Sequence, residues 1–165
     1  MSYSEVEILT DENRHPCLMK LKGFCFQYKF AVVYDEKPDN YLSDVLRSGK
    51  DFGWDDRMKV ATQLASLFTW LHERQFAFNL VLRYYLQDFN IKVLDFGFLV
   101  RVKEEDNRVL TIPYLNLPDA PEAYEGTRTL KSDVYVFGVG LVANNKNVYT
   151  AYYCWIVDEL QRGKR

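Results

Sequence analysis

The stretch WDDRMKVATQLASLFTWLHERQ, residues 54–75, constrains the chain more than any other. Ala61, Leu64, Ala65, Phe68 and Leu71 recur at helical spacing, so they line one side of a helix. Val60, Leu67 and Trp70 widen that apolar surface, which predicts a long helix buried on most of its sides. Asp55 and Asp56 fall in its first turn, and His72 and Arg74 in its last. Both placements suit the helix dipole. With 165 residues, the chain has room for one domain with a moderate core around this helix.

The segments on either side are shorter. EVEIL reads as a helical fragment broken at RHP, because Pro16 disfavours helix at the residue before it. CLMKLKGFCFQ and KFAVVYDEK read as two adjacent antiparallel strands. PDN reads as a turn. YLSDVLRSG reads as a short helix stopped by Gly49, and GKDFG as a loop. After the long helix, NIKVLDF reads as a strand and RVKEEDNRVL as a charged excursion, a hairpin arm. PYLNLPDAPEAYEG carries three prolines and reads as turns. SDVYVFGVGLVA reads as an apolar helix with Ser132 or Asp133 as its cap. NNKNVYTAYYCWIVDELQRGKR reads as one more helix. The order predicts an α+β domain, mainly helical with a small β component.

Net charge is −2 with both signs interspersed, which excludes a nucleic-acid face and a like-charge tail. The aromatic fraction, 16%, is high. Cys17, Cys25 and Cys154 are widely spaced with no CxxC pair, and His15 and His72 are the only histidines. That set lacks the pattern of a zinc site. It predicts reduced, mostly buried thiols in an intracellular protein. MSYSEVEILTDENR has no apolar signal core. VYVFGVGLVA and VYTAYYCWIV are too short to cross a bilayer.

Several segments together carry a resemblance. HPCLMKLKGFC, AVVYDEKPDNYLSDVL, WDDRMKVATQLASLFTWLHE, IKVLDFGFL and DAPEAYEGTRTLKSDVYVFGVGL are similar, in this order and spacing, to stretches of protein kinases. The style resembles plant receptor-like and receptor-like cytoplasmic kinases. The likeness covers roughly residues 4–143. It implies a partial protein-kinase-like domain over 1–143, followed by a divergent tail, 144–165. Within that domain, residues 1–34 would be a remnant of the N-lobe, 35–40 the hinge and 41–143 part of the helical C-lobe.

The resemblance implies a role for each matching residue. Glu5 stands where the family's helix glutamate orients a phosphate-binding lysine. The Gly-rich loop and that lysine lie upstream in the family, and only four residues precede Glu5 here. The expectation is therefore a truncated chain in which Glu5 is a solvated helix glutamate. Tyr34, Asp35, Glu36 and Lys37 fall at the hinge, so the backbone of Asp35 and Lys37 would address an adenine. Asp95 matches the aspartate of the Asp-Phe-Gly motif, a hard oxygen ligand for Mg²⁺. A turn or capping aspartate is the other reading of it. Phe96 would pack into the core, and Gly97 would let the backbone turn. Ala120, Pro121 and Glu122 match Ala-Pro-Glu, and Glu122 is expected to lack the arginine partner it has in the family. Asp133 would accept backbone bonds from the catalytic loop.

That loop departs from the family. Counting back from Asp95, the His-Arg-Asp triplet falls on Phe76, Ala77 and Phe78, and the second metal-binding asparagine falls on Arg83. A general base contributes typically 10²–10⁴-fold to a rate, and phenylalanine cannot act as one. The expectation is a catalytically inactive, kinase-like protein with no catalytic residue and no cofactor, or weak Mg-ATP binding at most. It would work by binding another protein, such as an intact kinase, in the cytoplasm or at the inner face of the plasma membrane. Two alternatives stand beside it: an ATP-binding serine/threonine kinase homologue with residual activity, and a truncated gene product without function.

Overall fold

A computed structural model of the chain describes residues 7, 8, 10, 11, 13–25, 31–35, 37, 40–42, 44, 45, 53–78, 84–93, 99–102, 108–110 and 120–142. In chain order they form β1 (Leu21–Cys25), β2 (Ala31–Tyr34), β3 (Asn40–Tyr41), α1 (Trp54–Glu73), β4 (Phe76–Ala77), β5 (Tyr85–Gln87), β6 (Asn90–Lys92), β7 (Val100–Arg101), β8 (Arg108–Leu110), α2 (Pro121–Tyr124), β9 (Thr127–Thr129) and α3 (Leu130–Val142). Glu7, Ile8 and Thr10 are helical, as are Leu42, Asp44 and Val45. The residues 38, 39, 49 to 52 and 144–165, on which further expectations fell, lie outside the described set.

α1 is shorter and less buried than its sequence predicts. Val60, Ala61, Leu64, Leu67, Phe68 and Leu71 are buried. Trp54, Met58, Thr62, Ala65 and Thr69 form an exposed stripe at helical spacing instead, with Trp54 74% exposed. The helix ends at Glu73 because Gln75 takes a left-handed backbone, φ 58, and its N–H turns back to the His72 carbonyl at 2.9 Å. Glycine usually fills that position.

β1 and β2 pair antiparallel, with an irregularity between Leu21 and Gly23. β3, β5 and β6 form a three-stranded antiparallel sheet in the order β3–β5–β6. The β5–β6 hairpin turns on two residues, Asp88 at φ 50 and Phe89 at φ 58. A two-residue turn of this hand matches strand twist but normally recruits Asn and Gly. Side chains of α1 hold it closed. Gln63 accepts the Ile91 N–H at 2.9 Å and donates to the Phe89 carbonyl at 3.1 Å. Lys59 donates to the Asp88 carbonyl at 3.3 Å.

Among its described residues, the segment RVKEEDNRVL does not pair with itself. Its start, β7, pairs with β4, and its end, β8, pairs with β9. Leu18 and Val93 form a parallel bridge with backbone bonds of 2.8 and 3.0 Å. That bridge fixes the strand leading to residues 94–98 against the N-terminal segment. The core lies between α1 and these strands and includes Leu18, Leu67, Leu71, Phe76, Ile91 and Val93. No helix among the described residues is long and apolar enough to cross a membrane.

The thiols do not share one environment. Cys17 is buried and Cys25 is exposed, so the expectation of buried thiols fails at Cys25, which sits at the end of the open ribbon β1–β2. Cys154 lies outside the described residues. Burial pushes the Cys17 thiol up to about 11, which keeps it protonated and unreactive.

Candidate functional site

The site gathers at Asp133, on the first turns of α3. Its side chain is wholly buried, and a backbone amide and an imidazole converge on it. The Phe78 N–H reaches both carboxylate oxygens, at 3.1 and 2.9 Å. His72, near the end of α1, places Nε2 2.8 Å from Oδ2. The imidazole is itself stacked on Phe68, with ring centres 6.1 Å apart. A buried carboxylate survives only where its lone pairs are met by donors, and here a backbone amide and an imidazole meet them.

Asp133 therefore does not cap α3, and neither does Ser132. Thr129 does. Its hydroxyl accepts the N–H groups of Lys131 and Ser132 at 3.1 and 3.3 Å. Ser132 Oγ returns the contact by accepting the Thr129 N–H at 3.0 Å, a reciprocal capping box. The sequence signal was the spacing Thr-x-x-Ser, one turn earlier than the expected cap. Ser132 Oγ also donates to Glu122 Oε1 at 2.6 Å. Glu122 is thus partnered by the Ser132 hydroxyl, a contact that the expectation about an arginine did not include. Ala120 is buried and precedes α2, with Pro121 at its first position. Pro121 suits that place because its missing N–H is not needed there.

The loop position that should carry the base is packed shut. Phe76, Ala77 and Phe78 are each at most 1% exposed. β4 holds Phe76 and Ala77 against β7, and the Arg101 guanidinium lies 4.5 Å above the Phe76 ring. Arg101 also pairs with Glu7, 2.6 Å from Oε1, which ties β7 to the N-terminal helical segment. The Phe78 ring centre is 6.1 Å from that of Tyr84. Tyr84 is fully buried, and among the described residues its hydroxyl has no hydrogen-bond partner. Burial first, then the negative charge of Asp133, holds that phenol far above its ordinary range, so it stays neutral. No sequence signal pointed to Tyr84, since a tyrosine beside apolar residues reads simply as core.

At the hinge, the Asp35 N–H donates to the Lys20 carbonyl at 3.0 Å. Its carboxylate lies 3.6 Å from Lys20 Nζ and 3.6 Å from Lys22 Nζ. Among the described hinge residues, the Asp35 carbonyl and the backbone of the exposed Lys37 are the groups left to address an adenine. Glu5, Asp95, Phe96, Gly97 and Arg83 lie outside the described residues.

Phosphoryl transfer from Mg-ATP needs a proton acceptor beside the substrate hydroxyl and oxygen ligands for metal. Phe78 offers an apolar ring and an N–H already bonded to Asp133. Arg83 puts a cation in the sequence position of a metal ligand. Phe78 meets neither need, and the oxygen ligand expected at Asp95 lies outside the described residues.

Comparison with known proteins agrees with the architecture. The chain is 33% identical over 155 residues to Wall-associated receptor kinase-like 14 of Arabidopsis thaliana, covering 84% of this chain and 21% of that one. It is 36% identical over 140 residues to Probable serine/threonine-protein kinase PBL18 of the same plant, covering 78% and 35%. It is 36% identical over 142 residues to Probable serine/threonine-protein kinase PBL2, covering 78% and 33%. The chain therefore spans between a fifth and about a third of the length of these curated relatives. The family described as protein tyrosine and serine/threonine kinase matches residues 1–152. That match covers more than half of this chain, and the chain belongs to the protein kinase family.

Proposed function

We propose that this chain is a catalytically inactive member of the protein kinase family, acting in phosphorylation signalling by binding another protein. The observation that carries the reading is Phe78. It stands at the family's base position, is 1% exposed, and is anchored through its N–H to the buried Asp133. The loop keeps the backbone contact that shapes it and holds no proton acceptor at that position.

The partner is a protein, such as an intact kinase of the same family. The apolar side chains of Val134 and Tyr135 stand out from α3, 60% and 38% exposed, and offer surface to it. The place of action is inside the cell, in the cytoplasm or at the inner face of the plasma membrane. Mg-ATP is bound weakly at most, through the hinge backbone at Asp35 and Lys37 and a metal contact at Asp95.

The test is a thermal melt of the chain with and without Mg-ATP, run beside a phosphotransfer assay with a generic protein substrate. A ligand specific to the folded state stabilises by about 2.7 kcal/mol at a hundredfold excess over its Kd. We expect a cooperative melt whose midpoint does not move, and transfer at background. A shift of several degrees together with transfer that disappears in Asp95→Ala would replace this reading with a residually active kinase. Absence of any cooperative melt would replace it with a fragment that does not fold alone.

A further inference from the structure

Tyr41 and Tyr85 form a pair that neither the capping network nor the loop at Phe78 uses. They sit directly opposite each other in the antiparallel register of β3 and β5, so both side chains leave the same face of the sheet. Their hydroxyl oxygens are 2.6 Å apart. Their ring centres are 4.3 Å apart, and the planes are inclined by only 32°. Tyr41 is 39% exposed and Tyr85 is half-buried. Tyr84, the next residue in the chain, is wholly buried and closed to any reagent in solvent.

We propose that Tyr41 and Tyr85 are a site of oxidative cross-linking, forming an intramolecular dityrosine when the chain meets hydrogen peroxide and a haem peroxidase. Unpaired spin in a phenoxyl radical resides largely on the oxygen and on the ring carbons ortho and para to it. Two rings that touch at their hydroxyls bring their ortho carbons together as well. Holding two reactants in this way replaces a bimolecular encounter by a unimolecular step. Each phenol loses one electron and one proton from its O–H. The two radicals then join through a carbon–carbon bond between ortho carbons. Each ortho hydrogen afterwards moves to its oxygen, which restores both phenols. The two electrons and two protons reduce one peroxide to two waters, so the step balances.

The bond would join positions 44 apart in the sequence. It would lock the strand that follows the hinge segment to the β5–β6 hairpin. The proposal holds whether or not the chain transfers phosphate.

The experiment uses the whole chain with the exposed Cys25 thiol blocked by iodoacetamide, treated at high dilution with peroxide and a haem peroxidase. We expect dityrosine fluorescence, a mass lower by two hydrogens per chain, and a yield per chain that does not change on further dilution. Peptide mapping is expected to link the fragment holding Tyr41 to the fragment holding Tyr85. Tyr41→Phe and Tyr85→Phe should each abolish that linked fragment, while Tyr135→Phe should keep it. A cross-link that maps to other tyrosines would overturn the proposal. So would a dimer whose yield falls with dilution, or oxidation without any linked fragment. Because the mapping is done on the unsubstituted chain, a variant that fails to fold leaves the answer intact.

Discussion

Two aspartates, Asp133 and Asp35, divide this molecule. Asp133 is fully buried and receives one amide and one imidazole at 2.8–3.1 Å. Asp35 is exposed at the hinge and faces two lysine ammonium groups, both 3.6 Å away and both mostly in solvent. Coulomb's law alone favours Asp35, which has two full charges beside it. Burial reverses the order. In water an ion pair competes with hydration and gains about 0–1 kcal/mol. In the interior, a donor deprived of its acceptor has nowhere else to turn, and leaving it unmet costs about 1–3 kcal/mol. The difference teaches that depth rather than formal charge decides which carboxylate ties elements together: Asp133 joins α1, α3 and the Phe78 backbone, while Asp35 stands among solvated lysines.

The largest expected effect follows. Asp133→Ala strips the acceptor from the buried Phe78 N–H and from His72. It should lower the unfolding free energy by about 3 kcal/mol and the melting midpoint by roughly 10 °C. Asp133→Asn, which keeps one oxygen, should lose about half as much. Urea denaturation of the three proteins would measure this. Equal stability of the alanine variant and the parent would mean that the buried contacts contribute nothing, and the comparison would collapse.

Next in size is Gln63, a half-buried bracket with no charge. Gln63→Ala frees the Ile91 N–H and the Phe89 carbonyl at a turn whose two central residues are already left-handed. Two lost hydrogen bonds predict a loss of about 1–3 kcal/mol, with early hydrogen exchange in β5 and β6. If instead exchange in the hairpin is unchanged, the turn holds itself and α1 merely lies beside it.

That hairpin also shows what the sequence concealed. α1 was legible because its apolar residues repeat from Val60 to Leu71, over about three turns, and the β1–β2 pair because two β-rich runs adjoin. The β5–β6 turn was not legible, because Asp88 and Phe89 carry none of the Asn-Gly chemistry such turns prefer. The residues that close it sit on α1, far away in sequence. The cap of α3 was misplaced by one turn because Thr129, Ser132 and Asp133 are all good caps, and only burial tells them apart. At the site, that a phenylalanine stands at position 78 could be read directly. The partner of Glu122 could not, since Ser132 reaches it only after α2 and α3 have packed.

His15 sharpens the contrast from the side of a base. Its Nδ1 accepts the Cys17 N–H at 3.2 Å, which leaves the ring proton on Nε2, 3.0 Å from Ser66 Oγ. Burial holds its pKa below the ordinary 6.5. The folded state therefore binds this proton less readily than the unfolded chain. The stability contributed is present in full above 6.5 and is lost as the pH falls below that value through the folded pKa. Melts across that range should show the loss, and His15→Gln should flatten the slope. A slope that the substitution leaves unchanged would assign the acid sensitivity to other groups.

The smallest effect belongs to the hinge. Asp35→Asn removes the attraction to Lys20 and Lys22 but keeps the backbone bond from residue 35 to the Lys20 carbonyl. Both lysines can then turn fully to water. The expected loss is about 0.5 kcal/mol or less, and it should vanish at about 1 M salt, where the screening length is about 3 Å. Asp133→Ala should keep its full effect at that salt, because its partners are a backbone amide and a half-buried imidazole out of reach of mobile ions. The salt series thus separates the two aspartates without reference to size. An Asp35→Asn loss that persists in high salt would show that the hinge carboxylate works by fixing local geometry, as Asp133 does, and the contrast between them would narrow to one of depth alone.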